Sequence, residues 1–204
     1  MKNLAVLLTL LLAAACNEHT LPAATASAPP TASSAVGNAS ALPNAEQSYR
    51  QAADAARSGN YAAAYRILLP LAQQGDATAQ NNIAVLYQDG LGVKQDDAQA
   101  LLWYRKAAEQ GFAEAQFNVG LMYAQGNGVA QDYAQAAQWY EKAAKQGHAD
   151  AQNNLAVRYA SGSGVARDLD QARHWFAQAA LNGHPTAAAS LKQLELLQRE
   201  GKLK

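Results

Sequence analysis

The sequence predicts an all-α fold, a right-handed α-solenoid of antiparallel helix pairs, and three observations predict it. The first is a strict register. Gly75, Gly111, Gly147 and Gly183 are spaced 36 residues apart, and the same step joins Trp103, Trp139 and Trp175, the only tryptophans in the chain. It also joins Tyr87, Tyr123 and Tyr159, then Val93, Val129 and Val165, and the glycine pairs Gly90/Gly92, Gly126/Gly128 and Gly162/Gly164. Self-similarity at one fixed period marks stacked supersecondary units that cannot bury their apolar faces alone. The second observation is local. Ala100, Trp103, Tyr104, Ala107 and Ala108 fall at i, i+3, i+4, i+7 and i+8, one face of a helix. The third is compositional: half the residues are hydrophobic but only 7% are aromatic. Much of the apolar share is alanine, which suits helices in close approach with a few large rings between them.

In chain order, residues 1–15 (MKNLAVLLTLLLAAA) carry a positive charge at Lys2 and then an uncharged apolar run. The run is short for a bilayer span and ends in small residues, as a cleaved secretory signal does. Ala13-Ala14-Ala15-Cys16 resembles a bacterial lipobox, with Ala13 where leucine is usual and Leu12 one step earlier. The resemblance implies cleavage before Cys16, whose sulfur would accept the diacylglyceryl group. An ordinary cleavage site followed by an incidental cysteine is the competing reading. Several acyl chains anchor stably where one does not. Asn17, rather than Asp, follows the cysteine; by the same resemblance this favours the periplasmic face of the outer membrane. Residues 16–43 are rich in Ala, Ser, Thr and Pro, with four of the six prolines (Pro22, Pro29, Pro30, Pro43) and no apolar periodicity. Such a segment cannot bury enough surface to offset its ordering entropy. It is expected to act as a flexible tether with an r.m.s. reach of roughly 30 Å.

The repeat array is expected over 44–204, with 44–75 as an N-terminal cap unit and 76–111, 112–147 and 148–183 as full repeats. Residues 184–204 then supply a capping helix, at 185–198, and a tail. In each repeat the first helix carries an inner face of Ala79, Ile83 and Tyr87, then Ala115, Val119 and Tyr123, then Ala151, Leu155 and Tyr159. The second helix opens on Asp96 with Gln99, Asp132 with Gln135, and Asp168 with Gln171. Each pair has capping-box spacing, in which the acid accepts a free N–H and the amide reaches back. The registered glycine closes the helix in a left-handed conformation. In the cap unit Asn60 replaces the capping Asp, and Pro70 is expected to bend its helix. Pro185 takes the first position of the last helix, where a missing N–H costs nothing. Leu191, Leu194 and Leu197 give that helix its apolar side.

The unit AQFNVGLMYAQGNGVAQDYAQAAQWYEKAAKQG, from Ala115 to Gly147, resembles a Sel1-like repeat, a longer relative of the tetratricopeptide repeat. The resemblance extends from about residue 44 to the C-terminus. It implies helix pairs whose first members line a concave surface, and relatives that act in secretion, polysaccharide export and signalling assemblies. A cysteine-rich branch of the family, linked to β-lactam and cell-wall binding, has a disulfide in each repeat. This chain has no cysteine beyond Cys16 and falls outside that branch.

Lys plus Arg equals Asp plus Glu, 16 of each, so no basic excess is available to neutralise a phosphate backbone, and nucleic-acid binding is not expected. The G-x-G turns follow a helix, lack a third glycine and recur, which fits a structural turn better than a phosphate cradle. His148 and His184 lie one repeat apart and cannot share a metal at bonding distances near ~2 Å. His174 has no second ligand at i+4. No cofactor, metal or catalytic constellation is expected, and the chain is not read as an enzyme.

On a helical wheel centred on Ile83 and Tyr87, the opposite face holds Asn81, Val85 and Gln88. The equivalents downstream are Phe117 and Leu121, with Ala124, then Asn153 and Val157, with Ala160. These are the expected partner-binding residues on the concave face, with Phe117 as an aromatic anchor. Burial of Phe117 against a neighbouring helix is the competing reading. Lys106, Lys142, Glu109 and Glu141 are expected on a solvated outer face. The resulting expectation is an envelope-tethered adaptor that binds another envelope protein. The alternative is an envelope binding protein, or weak hydrolase, for a cell-wall-derived ligand.

Overall fold

A computed structural model describes residues 45–200. The segments expected to be a secretory signal and a tether, with Cys16 between them, therefore lie outside the described residues. Among the described residues there are nine helices and no strand. They are α1 (Ala45–Arg57), α2 (Tyr61–Gln73), α3 (Ala77–Asp89), α4 (Asp97–Glu109), α5 (Ala113–Gln125), α6 (Tyr133–Lys145), α7 (Ala149–Ser161), α8 (Leu169–Leu181) and α9 (Ala187–Arg199). Two compact units are present, residues 45–106 and 107–200, with the boundary inside α4.

In the first unit α1 packs on α2 and α2 on α3. The side chain of Asn60 accepts from the Ala63 N–H at 3.1 Å and starts α2, in the role foreseen for it. Asp76 caps α3 through Ala79 N–H and also accepts from the hydroxyl of Tyr49, so one carboxylate ties α1 to the start of α3. α2 runs without interruption through Pro70 to Gln73. It buries Ala64, Leu68, Leu71 and Ala72, and α3 buries Ala79, Ile83 and Leu86.

In the second unit α5 packs on α6, α6 on α7, α7 on α8, and α8 on α9. One core cluster joins Ala136, Ala137, Tyr140, Ala143 and Ala144 of α6 with Ala151 and Leu155 of α7. A second joins Ala156 of α7, Ala172, Phe176 and Ala179 of α8, and Ala187 and Leu194 of α9. The inner-face residues Ala79, Ile83, Ala115, Val119, Ala151 and Leu155 are all buried, while the tyrosine column is half-buried.

The second-helix caps form as acids only. Asp96 accepts from Gln99 N–H at 2.9 Å, Asp132 from Ala134 and Gln135 N–H, and Asp168 from Asp170 and Gln171 N–H. The reciprocal amide bond of a capping box has no free donor to meet. The backbone N–H groups of Asp96, Asp132 and Asp168 already donate to the carbonyls of Tyr87, Tyr123 and Tyr159.

The G-x-G turn has two separate jobs. Gly90, Gly126 and Gly162 end α3, α5 and α7 in the left-handed conformation. The next glycine permits contact with the preceding pair. A Cβ on Gly92 would lie 2.2 Å from the Ala62 nitrogen at the start of α2, and one on Gly164 would lie 2.2 Å from the backbone of Tyr133. α9 begins at Ala187, two residues later than the equivalent helices, because Pro185 and Thr186 form a turn in which Thr186 N–H donates to His184 Nδ1.

Candidate functional site

The interior polar groups are mostly used to hold helices together. Gln80, Gln116 and Gln152, one per repeat, donate through Nε2 to the carbonyls of Ala72, Ala108 and Ala144 at 3.0, 3.1 and 2.9 Å. In the second unit the same amides accept from the next repeat: Gln146 donates to Gln116 Oε1 at 2.7 Å and Asn182 to Gln152 Oε1 at 2.9 Å. Buried amides with both ends satisfied fix the register between stacked pairs. Residue type alone does not expose this ladder, since glutamine on a helix normally reads as surface. The recurrence of Gln80, Gln116 and Gln152 at the repeat step was the available signal.

The two registered histidines also have structural roles. His148 accepts from Ala151 N–H through Nδ1, capping α7, while its Nε2 lies 3.1 Å from Glu114. One repeat later, His184 Nε2 lies 3.5 Å from Asp150. With Nδ1 accepting, the neutral tautomer that carries its proton on Nε2 serves both contacts of His148. No group of three or more potential metal ligands occurs among the described residues.

The predicted binding residues divide by burial. In the first unit Asn81 is fully buried and Val85 is 9% exposed, so neither lines an accessible face. Gln88 is half-buried and accepts from the Tyr104 hydroxyl at 2.8 Å. In the second unit Phe117 is half-buried, stacked on His148 at 4.7 Å between centroids and tilted against Tyr140 at 6.0 Å. It packs on the α6–α7 core together with Leu121. Asn153 is half-buried with its Oδ1 shut off and unpartnered. Only Val157 is exposed. The wheel assumed one buried face per first helix. In a stack such a helix is covered twice, as α7 is by α6 and α8.

On the outer face Lys106, Lys142 and Glu109 are exposed, as expected, and Glu141 is half-buried. Lys106 Nζ sits 4.0 Å from the centre of the Trp103 ring, and Lys142 Nζ sits 3.6 Å from that of Trp139. These lysines, three residues on from the tryptophan, also place their ammonium groups over its ring. Glu141 pairs with Lys145 at 2.7 Å, and the pair raises the Lys145 pKa above its ordinary value. The most exposed large apolar side chains are Leu102 in the first unit, and Tyr133, Val157, Leu181 and Leu196 in the second.

The model of the Sel1 repeat family matches residues 77–112, 113–148 and 149–184, just over half of the chain. Among solved structures, a Sel1 repeat protein from Oxalobacter formigenes is 38% identical over 69% of this chain and 58% of its own, with a TM-score of 0.66. The protein c5321, a protective antigen present in uropathogenic Escherichia coli strains and displaying an SLR fold, is 35% identical with a TM-score of 0.67. That match covers 74% of this chain and 34% of c5321. Cysteine rich protein B of Helicobacter pylori, at 22% identity and a TM-score of 0.52 over 65% of this chain and 96% of its own, shares the fold. The chain thus spans less than two thirds of the first two proteins. No curated protein matches it.

Proposed function

We propose that this chain, which belongs to the Sel1 repeat family, is an adaptor of the bacterial cell envelope, tethered through Cys16 and holding another envelope protein on its first helices. Sel1 repeat proteins are generally scaffolds for protein–protein interaction rather than enzymes. One observation carries the reading here: three contiguous repeats whose interior glutamines Gln80, Gln116 and Gln152, and the histidine His148, are committed to helix contacts. The chemistry left for a ligand is therefore on the surface, where Val157 stands exposed on α7. Among the described residues no helix is long and apolar enough to cross a membrane. In this reading, membrane attachment rests on the lipobox-like segment that ends at Cys16.

Photo-crosslinking in intact cells tests the binding role. A probe at Val157 on α7 is compared with one at Gln138, exposed on α6. One protein captured from Val157 and not from Gln138 supports the adaptor. Equal capture from both, or none from either, removes it and leaves the wall-derived ligand as the stronger alternative. The tether is tested by metabolic palmitate labelling, which should be lost in Cys16→Ala together with membrane fractionation.

A further inference from the structure

Arg158 breaks the pattern of its column. The equivalent positions hold Leu86, Met122 and Leu194, all buried and all apolar. At Arg158 the side chain is instead a guanidinium, its Cζ 4.7 Å from the centre of the Tyr133 ring at the start of α6. The Nε is shut off from solvent and has no hydrogen-bond partner. The terminal nitrogens are not shut off, and no described carboxylate pairs with them. The positive charge acts inward as well: burial raises the Tyr140 pKa, and the Asn154 side chain and then the Arg158 charge oppose that rise.

Packing does not require this cation. Where α8 meets α9, the equivalent pair is Leu169 and Leu194, and it closes with apolar carbons. A half-buried guanidinium with one N–H already desolvated and unpaired is a costly substitute. Its plane is backed by an aromatic face and its terminal N–H groups form a fork suited to two acceptor oxygens. Tyr133, at 39% exposure, leaves the ring reachable from outside. Its hydroxyl is oriented by Gln131 Nε2 at 3.0 Å.

We propose that Arg158, backed by Tyr133, is a recognition site for the side-chain carboxylate of an acidic segment in the partner protein. This rests on the adaptor reading and specifies part of what the adaptor would recognise. The guanidinium would donate two parallel hydrogen bonds to the carboxylate, and exposed Val157, the residue before it, would meet an adjoining apolar group.

The test follows the Arg158 side-chain N–H resonances by NMR during titration of the full chain with the amidated peptide acetyl-Ala-Glu-Ala-Glu-Ala. The expected result is a saturable shift at Arg158, with a Kd on the order of 1 mM for so short a probe, and no shift with the Gln-for-Glu peptide. The variant Arg158→Met carries the residue of the preceding repeat, so it should fold and lose the response. No shift, an equal shift with the Gln peptide, or shifts spread over the other arginines would overturn the proposal. A response only to a Gln peptide with a free C-terminus would overturn it in favour of a chain terminus. Crosslinking from Val157 in Arg158→Met separates this site from the adaptor reading: capture retained without a peptide response removes the carboxylate site alone.

Discussion

The α2–α3 pair and the α6–α7 pair occupy the same repeat columns and solve one buried problem differently. Tyr140 of α6 is buried, and its hydroxyl interacts with the side chain of Asn154 on α7. Two repeats earlier those columns hold Leu68 and Asn82. Asn82 is fully buried, and neither its nitrogen nor its oxygen has a partner. In the last pair both members change, to Phe176 and Ser190. A repeat can therefore drop the phenol without loss if the amide goes with it. The first unit dropped one and kept the other, and Asn81 beside it is buried and unpartnered too. An unpaired buried amide costs about 1–3 kcal/mol. Among the described residues the second unit leaves only Asn153 Oδ1 and Arg158 Nε buried and unpartnered, against both ends of Asn81 and Asn82 in the first, so the first unit should be the less stable of the two.

The largest way to probe this asymmetry is through the tryptophan column. Trp139 is 8% exposed on α6, and its counterpart on α2 is the half-buried Ile67. Trp139→Ala should destabilise the chain by about 3–5 kcal/mol, and Ile67→Ala by about half as much, in denaturant melts. A Trp139→Ala chain that melts like the wild type would sink the core assignment. Next come the glycines that let one pair approach another. Gly92→Ala and Gly164→Ala add a left-handed alanine and drive its Cβ into backbone, whereas Gly59 has a φ of +76° and nothing within 4 Å. The first two should each cost more than about 3 kcal/mol and Gly59→Ala about 1 kcal/mol. Equal losses at all three would mean that close approach contributes nothing.

The asparagines give a smaller effect but a difference in sign. Asn154→Ala removes the partner of a buried phenol and should cost about 1–2 kcal/mol. Asn82→Ala removes an orphan, so the lost desolvation penalty opposes the cavity it leaves, and stability should hold or rise. Matching losses at the two sites would show that Asn82 has a partner after all.

Periodicity made the helix pairs, the Asp96, Asp132 and Asp168 caps and the alanine-rich core legible, because each depends on spacing along one helix. What escaped depends on which helices flank it. Asn81 and Val85 looked exposed on a wheel with one buried face, and a stacked helix has two. Lys106 and Lys142 are exposed as a charge on a helix usually is, and what the sequence hid is that each ammonium sits over a ring, of Trp103 and of Trp139. Gln116 and Gln152 could be seen to recur, but only the neighbouring carbonyls show that they are ties. Arg158 was legible as a break in an apolar column, and its significance needed the ring of Tyr133 beside it.

The smallest effect concerns a pair found in the first unit alone. Tyr65 and Tyr87 share a hydrogen bond of 2.9 Å between hydroxyls, with rings edge to face. Two repeats on, the Tyr65 column holds Ala137, so Tyr159 has no such partner. Burial first, and then the Tyr87 hydroxyl, push the Tyr65 pKa up to about 12. A raised pKa on a group that is neutral when protonated means that folding favours the proton. The contribution is fully present below the ordinary value of 10.0 and is lost as pH climbs through about 12. Tyr49, buried against Asp76, is pushed higher still and gives way later. Alkaline melts followed by tyrosinate absorbance should show the wild type losing stability in that window. Tyr65→Phe should begin slightly less stable and lose less across it. If both chains lose the same amount, the hydroxyl pair does not couple to folding, and the Asn82 defect remains as the main difference between the α2–α3 and α6–α7 pairs.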